Sequence, residues 1–436
     1  MFPPNIPPFV SFITRRLRQN GHRAYLVGGA VRDACRNAPV TDWDVATSAS
    51  SGDITSLFSG IPHFSLKHDT VTLVDAGCHY EITPFRNGAR RIEEDLARRD
   101  FTVNAMACDP DTGGLIDPYG GLSDLKKKRI RAVGDPVARF TEDPLRLLRA
   151  VRLATLLRFR VEPETLRVLA RLAPLVSDAA TERIREELVR ILTAEKPSPG
   201  FYLMARSGLL RHTIPELLEG WRRRQNAHHR YTIFRHIMET VDRTAPDRIL
   251  RLTALFHDIA KPRVRKKIDG TWRFYGHEEA GARLASEIME RLAFDRRTIR
   301  KVTHLIAHHM IGYHAAWGDA AVRRLIRRVG AKEIKALIAF RRADILAHGR
   351  GGREGLRLLQ ELEERVARQM NAPIVTRMRD LAVDGRKVMA VMGIPPGPRV
   401  GAILAELMEA VTESPDLNTP EHLVRLLERK KNRKSS

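Results

Sequence analysis

The chain has 436 residues, enough for roughly two to four compact units, which excludes a single small binding module. Lysine and arginine number 75 against 52 acidic residues, and the formal net charge of +23 favours nucleic acid as a partner over a membrane surface. No apolar run is long enough to span a bilayer, and residues 1–10 lack the pattern of a signal peptide, so we expect a soluble, cytoplasmic protein.

The first third of the chain has a mixed pattern. Short apolar runs at 25–27, 71–74 and 80–83 predict strands, and helical stretches separate them. After Thr141 the sequence consists of long segments rich in leucine, alanine, arginine and glutamate, which predict consecutive helices. We therefore expect an α+β part followed by an all-α part.

A glycine turn follows the first predicted strand. Gly28 and Gly29 stand between Leu26-Val27 and the predicted start of a helix, where exposed backbone amides can approach a phosphate. A pair of glycines more often marks a plain chain reversal. The turn alone does not decide between these two interpretations.

Two aspartates flank a tryptophan in the next predicted strand. Asp42 and Asp44 are two residues apart, so both carboxylates share one face while Trp43 points toward the core. Carboxylates held this close repel each other unless a cation joins them, and Mg²⁺ prefers such oxygen ligands. Glu81, on a later strand, is a candidate third carboxylate. The alternative is an edge strand with solvated acids.

Four motifs in one order give the chain a resemblance to a known family. They are 28–33 (GGAVRD), 42–44 (DWD), 98–107 (RRDFTVNAMA) and 142–146 (EDPLR). With them the chain resembles the tRNA nucleotidyltransferase (CCA-adding enzyme) and bacterial poly(A) polymerase family. The resemblance implies an α+β polymerase-β-like nucleotidyltransferase head at 1–140, followed by all-α parts: a neck at 141–225, an HD-type helical domain at 226–350 and an RNA-binding tail at 351–436.

The resemblance also implies an activity and a set of site residues. The activity is addition of C, and also A, to the tRNA 3′ end from CTP and ATP with release of pyrophosphate. Asp42 and Asp44 are the implied catalytic ligands of Mg²⁺, with Glu81 assisting. The implied nucleotide-binding residues are Gly28, Gly29, Arg32, Arg99, Asp100, Asn104, Asp143 and Arg146.

Asp143 and Arg146 match the positions at which this family selects the incoming base. With Thr141 as N-cap, the two residues are expected three apart on one face of a helix. An aspartate accepts from an exocyclic amine and an arginine donates to ring acceptors, which suits cytosine and adenine. The alternative is that the acids only complement a helix dipole, with Arg146 as a solvated partner.

A second constellation of potential metal ligands lies between residues 236 and 344. It resembles the HD phosphohydrolase superfamily and predicts a site for Mn, Ni or Zn with phosphodiesterase or phosphatase activity on RNA ends or cyclic phosphates. A lone histidine of this kind is more often a core residue. The predicted ligands are His236, His257, Asp258, His277, His308 (which precedes His309) and Asp344.

The segment after the strand that contains Glu81 is short. Only residues 87–92 separate Arg86 from Glu93, whereas relatives that add the whole CCA end have a longer flexible segment. In the family this shortening is associated with enzymes that add two cytidines and leave the adenosine to a separate A-adding enzyme. A CC-adding enzyme, a poly(A) polymerase, a protein that acts mainly as an HD hydrolase and a noncatalytic RNA-binding protein remain as alternatives.

Overall fold

The protein is described from a computed structural model that covers residues 6–65, 69–225, 230–349, 352–371 and 375–432. Its contacts divide the chain into two compact units, Met1–Pro215 and Glu216–Ser436. Among the described residues, no helix has both the length and the apolar character needed to cross a bilayer.

The first unit contains a mixed sheet of seven described strands in the order β3-β4-β5-β2-β1-β6-β7. The runs predicted as strands lie in β1, β4 and β5, which confirms them. The strands of this unit are β1 (Ala24–Val27), β2 (Trp43–Thr47), β3 (His63–Ser65), β4 (Val71–Asp75), β5 (Cys78–Pro84), β6 (Ala107–Cys108), β7 (Leu115–Ile116), and a separate parallel pair, β8 (Arg129–Ile130) and β9 (Arg160–Val161).

The register at the centre of this sheet positions the carboxylates. β2 runs antiparallel to β1, with Val27 opposite Asp44, and parallel to β5, with Asp44 opposite Glu81. Leu26 and Val45 are buried beneath them, and so is Trp43, as predicted. The end of β1, which leads into the glycine turn, therefore lies beside Asp44.

Helices surround the sheet and form the rest of the first unit. They are α1 (Pro8–Gln19), α2 (Gly29–Cys35), α3 (Ser51–Leu57), α4 (Ile92–Leu96), α5 (Gly121–Lys126), α6 (Pro136–Glu142), α7 (Arg146–Leu157), α8 (Pro163–Arg171), α9 (Thr181–Leu192), α10 (Ser198–Ser207) and α11 (Leu209–Thr213).

The predicted single helix through Asp143 and Arg146 is wrong. Thr141 lies inside α6 rather than at an N-cap, and Asp143 ends α6 with an extended backbone. Pro144 explains the break, because a proline disfavours the helical conformation of the preceding residue. A second helix begins only at Arg146.

In its described residues the second unit is helical apart from one hairpin of β10 (Lys266–Ile268) and β11 (Thr271–Arg273), which was not predicted from the sequence. Its last three helices enclose a separate apolar core that includes Val388, Ile403 and Leu423. The helices are α12 (Ile233–Arg243), α13 (Arg248–Phe256), α14 (Lys261–Val264), α15 (His277–Arg291), α16 (Arg296–Ala307), α17 (Asp319–Val329), α18 (Ile334–Ala347), α19 (Gly352–Met370), α20 (Gly385–Met392), α21 (Pro398–Glu413) and α22 (Pro420–Asn432).

Candidate active site and metal centre

Three carboxylates lie at the edge of the first unit's sheet where β2 begins. Asp44 is half-buried in β2, Glu81 is its exposed neighbour on β5, and Asp42 is exposed just before β2. Burial raises the pKa of Asp44 to about 6, and the charges of Glu81 and Asp42 add to the rise. A cation at this place would relieve the repulsion, and an all-oxygen ligand set suits Mg²⁺. The oxygens of all three residues do not converge within 4.8 Å, since no such group occurs here among the described residues.

Gly28 forms the wall of this site opposite the carboxylate. Its φ is +71°, and a Cβ there would stand 2.9 Å from Oδ2 of Asp44 and 3.3 Å from Nη1 of Arg99. Both the backbone angle and the close approach require glycine. Gly29, with ordinary φ, begins α2. The predicted turn therefore lies against the predicted metal ligand.

Arg99 is held at this place by the buried carboxylate of Asp95. Nε of Arg99 donates to Oδ2 of Asp95 at 3.1 Å, and Asp95 also accepts from the backbone N–H of Arg86 at 2.9 Å. Burial and the neighbouring charge of Arg99 lower the pKa of Arg86 to about 10. Asp95 and Arg86 were missed in the sequence, where nothing distinguishes them from surface charges.

A second network holds Asp100, Asn104 and Arg32. Asn104 donates to Oδ1 of Asp100 at 3.2 Å and accepts from Nη1 of Arg32 at 2.8 Å. Oδ2 of Asp100 accepts from Nε of Arg149 at 2.8 Å. Burial alone would raise the pKa of Asp100, but Arg149 holds it well below its usual range. Arg149, which lies on α7, was also missed.

The two predicted base-selecting residues lie near these networks, and both have protein partners. Oδ2 of Asp143 accepts from Nη2 of Arg183 on α9 at 3.1 Å. Arg146 donates to the backbone oxygen of Arg98 at 3.0 Å and to the carboxylate of Glu142. The chain thus brings the EDPLR motif against the RRDFTVNAMA motif.

Five of the six predicted HD-type ligands meet in the second unit. They form two groups whose ligand atoms lie within 4.8 Å of one another. His309 completes the second group, and all of these side chains are buried. The first group is His236, His257 and Asp344, and the second is Asp258, His277 and His309.

His308 does not join the cluster, which corrects the prediction at that position. It is half-buried and packs against His304, with ring centroids 4.6 Å apart. α16 ends at Ala307 and His308 is its C-cap, so its side chain leaves in a different direction from that of His309.

The ring nitrogens of the cluster are oriented by backbone carbonyls. Nδ1 of His257 lies 2.9 Å from the oxygen of Ala254, and Nδ1 of His309 lies 2.7 Å from that of Ile306. His277 makes the same contact with Phe274. Because these Nδ1 atoms donate, Nε2 of His277 and of His309 carries a free lone pair, and Nε2 of His257 offers one when its proton is displaced.

The Nε2 atoms of the four histidines face one another in two pairs. Nε2 of His236 lies 3.3 Å from Nε2 of His257, and Nε2 of His277 lies 3.3 Å from Nε2 of His309. Burial and the charge of His257 lower the pKa of His309 to about 3, so the His277–His309 pair lacks the proton that would join it. A cation between these two nitrogens would relieve the repulsion of their lone pairs.

The carboxylates of the cluster are only partly paired: Oδ2 of Asp344 accepts a hydrogen bond from Nη1 of Arg341, and its Oδ1 lies 3.0 Å from Nε2 of His236. Both oxygens of Asp258 and Oδ1 of Asp344 are buried without a hydrogen-bond partner, although Nζ of Lys261 lies 2.7 Å from Asp258 Oδ2. Burial alone would lower the pKa of His257, but the two aspartates raise it to about 9. A metal would replace that proton. Buried nitrogen and oxygen ligands together fit a transition metal.

Three family models match the chain in sequence. They are the "Poly A polymerase head domain" at residues 24–131, the "Probable RNA and SrmB- binding site of polymerase A" at 158–220 and the "HD domain" at 228–349.

Curated relatives match over nearly the full length. A CCA-adding enzyme of Levilactobacillus brevis is 32% identical over 91% of each chain. An A-adding tRNA nucleotidyltransferase of Deinococcus radiodurans is 34% identical over 89% of this chain and 91% of its own. Among solved structures, the Bacillus stearothermophilus CCA-adding enzyme in complex with CTP is 27% identical, with a TM-score of 0.76 over 99% of this chain and all of the other.

Proposed function

The chain belongs to the family of tRNA nucleotidyltransferases that contains these CCA-adding and A-adding relatives, and from that premise we propose that it transfers C and A from CTP and ATP to the 3′ end of tRNA in the cytoplasm. The observation that carries the proposal is the meeting of Asp44, Glu81 and Arg99 at the glycine turn, where a Cβ on Gly28 would collide with the carboxylate. The predicted division into head, neck, HD-type domain and tail, at 140, 225 and 350, is part of the proposal.

Different residues of the first unit have different roles in the proposed reaction. Asp42 and Asp44, with Glu81 beside them, would hold Mg²⁺, which supplies charge for the attacking oxygen and the leaving pyrophosphate. The terminal 3′ hydroxyl of the RNA loses its proton to water, its oxygen bonds to the α-phosphorus, and the bond from the α-phosphorus to the pyrophosphate oxygen breaks. Arg99 and Arg32 face the triphosphate in this arrangement.

Asp143 and Arg146 read the base in this proposal. The carboxylate accepts from the exocyclic amine of cytosine or adenine, and the guanidinium donates to a ring acceptor. Uracil and guanine carry a carbonyl where that amine would be. Arg183 donates to Oδ2 of Asp143 at 3.1 Å and so helps to fix the direction in which this carboxylate accepts from the base.

The short connection between β5 and α4 favours a reaction that adds only the two cytidines. Only Phe85–Arg91 connect β5 to α4, and a 3-10 turn at Arg86–Gly88 takes up part of that length. This is the shortened segment that the family associates with CC-adding enzymes. Such an enzyme would leave the terminal adenosine to a separate A-adding enzyme.

Transfer of labelled CTP and ATP, separately and together, onto tRNA that ends at the discriminator base tests the proposal. We expect Mg²⁺-dependent addition that Asp42→Ala/Asp44→Ala abolishes. Addition of CCA supports the full reaction, and a stop after two cytidines supports the narrower one. No transfer under any of these conditions would contradict both.

The cluster in the second unit favours a second activity. We propose that His236, His257, Asp258, His277, His309 and Asp344 hold a transition metal, with Mn, Ni and Zn as candidates. The activity is hydrolysis of phosphoesters at RNA ends. The facing Nε2 atoms and the burial of both Asp258 oxygens beside them support this proposal.

Hydrolysis of bis-p-nitrophenyl phosphate and of an oligoribonucleotide with a 2′,3′-cyclic phosphate tests this second activity. The expected hydrolysis is lost with a chelator and in His257→Ala/Asp258→Ala protein, and it survives in Asp42→Ala/Asp44→Ala protein. His309→Ala should lower it strongly, whereas His308→Ala should leave it nearly unchanged. Equal losses in these two single variants would contradict the assignment of His309.

A further inference from the structure

The hairpin of β10 and β11 is attached to the histidine cluster. Among the described strands, β10 and β11 pair only with each other. The chain leaves β11 through Phe274, whose carbonyl oxygen lies 2.8 Å from Nδ1 of the cluster residue His277. Tyr275 and His277 are two residues apart, so their Cα atoms lie within about 7 Å. The segment that carries the exposed Tyr275 therefore leads directly into the buried cluster.

The hairpin carries three basic residues against one acid, Asp269, and no described acid lies within 4.0 Å of the charged groups of Lys266, Lys267 or Arg273. The register places Lys266 directly opposite Arg273, and like charges in that position destabilise a strand pair. Both residues are exposed, as is Lys267. The ion pairs nearest to them in the chain are made by Arg263 with Glu219 and by His277 with Glu278. An anion with several phosphates would remove this repulsion.

An open aromatic ring stands beside these cations. Tyr275 is 73% exposed, the largest exposure among the large hydrophobic side chains described. The other two aromatic residues here are already covered: Arg265 lies 3.6 Å from the ring centroid of Trp272, and Nζ of Lys261 lies 5.4 Å from that of Phe274. Tyr275 is thus the ring on which a nucleic-acid base can stack.

We propose that the hairpin and Tyr275 bind the single-stranded 3′ segment of an RNA and present its terminal phosphate to the histidine cluster. Lys266, Lys267 and Arg273 contact backbone phosphates, and Tyr275 stacks on a base near the end. A base inside a duplex has no free face for Tyr275, so the substrate is single-stranded at this point. The proposal rests on the hydrolase activity proposed above and names its substrate class.

Kinetics on two substrates test the proposal with the full-length protein. One substrate is an oligoribonucleotide with a 2′,3′-cyclic phosphate, and the other is bis-p-nitrophenyl phosphate, which has no base sequence and no neighbouring phosphates. Tyr275→Ala should raise KM for the oligoribonucleotide about tenfold, as the loss of one stacked base predicts, with kcat nearly unchanged. The small substrate should be hydrolysed as before, and Tyr275→Phe should behave like the parent protein.

The salt dependence of KM tests whether Lys266 and Lys267 contact phosphates. Lys266→Ala/Lys267→Ala should raise KM for the oligoribonucleotide and reduce the slope of log KM against log salt by about 1.4, or about 0.7 for each phosphate that a lysine no longer neutralises. Lys332→Ala/Lys335→Ala is the matched control, because these two exposed lysines lie on another part of the same unit. It should change neither quantity.

Photocrosslinking gives a readout that does not depend on hydrolysis. An oligoribonucleotide with 4-thiouridine near its 3′ end should crosslink to the peptide that contains Tyr275. Crosslinking there without hydrolysis of either substrate would overturn the hydrolase and support the RNA contact. Hydrolysis of both substrates with no effect of the hairpin variants would overturn the hairpin proposal alone. A higher KM for tRNA in CTP addition, with hydrolysis unchanged, would also overturn it.

Discussion

At the scale of single residues, Gly28 joins the fold to the chemistry. Any residue with a side chain would be strained at this positive φ. The missing Cβ also allows the turn to lie against Asp44. The chain offers a control for separating these two effects. Gly21 has a similar φ of +82° with no atom within 4 Å of its Cβ position.

We predict that Gly28→Ala and Gly21→Ala each cost about 1 kcal/mol of stability through the backbone angle. Only Gly28→Ala should also lower the rate of CTP addition, by about 100-fold, because its methyl group displaces the carboxylate of Asp44. Thermal unfolding and single-turnover transfer measure the two effects. Equal transfer rates in both variants would contradict the contact.

Asp100 predicts a pH dependence of stability. Its folded pKa lies below its unfolded value, so its ionisation stabilises the protein at neutral pH, and this contribution is lost as pH falls below about 4. Asp100→Asn should therefore cost about 2 kcal/mol at pH 7, a value reduced because Arg149 is partly exposed. The cost should shrink progressively below pH 4.

Urea unfolding of both proteins at pH 7 and at low pH checks this expectation. Asp178→Asn, at an exposed carboxylate of the same unit, is the control and should have little effect at either pH. A cost for Asp100→Asn that grows as pH falls would have the wrong sign.

The sequence identified most of the head's site residues but not the partners that hold them. Asp42, Asp44 and Glu81 follow from strand alternation and the motif order, and the structure places them at one sheet edge. Asp100 and Arg149 are 49 residues apart, and their pairing depends on tertiary packing that no local pattern records. The choice between His308 and His309 likewise depends on where α16 ends, and helix ends are poorly determined by sequence.

At the scale of elements, two differences from expectation had signals in the sequence. The break at Asp143 follows from Pro144. The hairpin follows from Asp269-Gly270, since this pair favours a two-residue turn, and both residues have positive φ. In each case the local signal was outweighed by the helical character of the surrounding segment.

Pro144 should matter for transfer more than for folding. Pro144→Ala permits α6 to continue and turns Asp143 away from Arg183, so we predict a fall of about tenfold or more in kcat/KM for CTP. Pro163→Ala is the control, because Pro163 begins α8, where proline is well tolerated. Steady-state kinetics with CTP and circular dichroism check both variants, and equal kinetics in the two would contradict the role of the break.

At the scale of the whole molecule, the two candidate sites lie in different compact units. Asp42 and Asp44 belong to the first unit, and the histidine cluster belongs to the second. A ligand that binds only the folded form of one unit stabilises that unit by mass action. Metal binding at one site should therefore stabilise the unit that contains that site and leave the stability of the other unit unchanged.

We predict that Mn²⁺ at 100 times its dissociation constant stabilises the second unit by about 2.7 kcal/mol. Hydrogen exchange of peptides from α12 and α13 should slow on addition of Mn²⁺ in the parent protein and in Asp42→Ala/Asp44→Ala. It should not slow in His257→Ala/Asp258→Ala. Protection that disappears in the first variant and persists in the second would reverse the assignment.

Three histidines of the cluster contact a backbone carbonyl at the same separation in sequence. His257, His277 and His309 each orient Nδ1 on the backbone oxygen of the residue three positions earlier, at the end or the start of a helix. The carbonyl that orients each ring thus lies within the same four consecutive residues as its histidine. For protein engineering, such a four-residue segment is a transplantable part: grafted at the helix ends of another scaffold, it would deliver a histidine whose free nitrogen is already set.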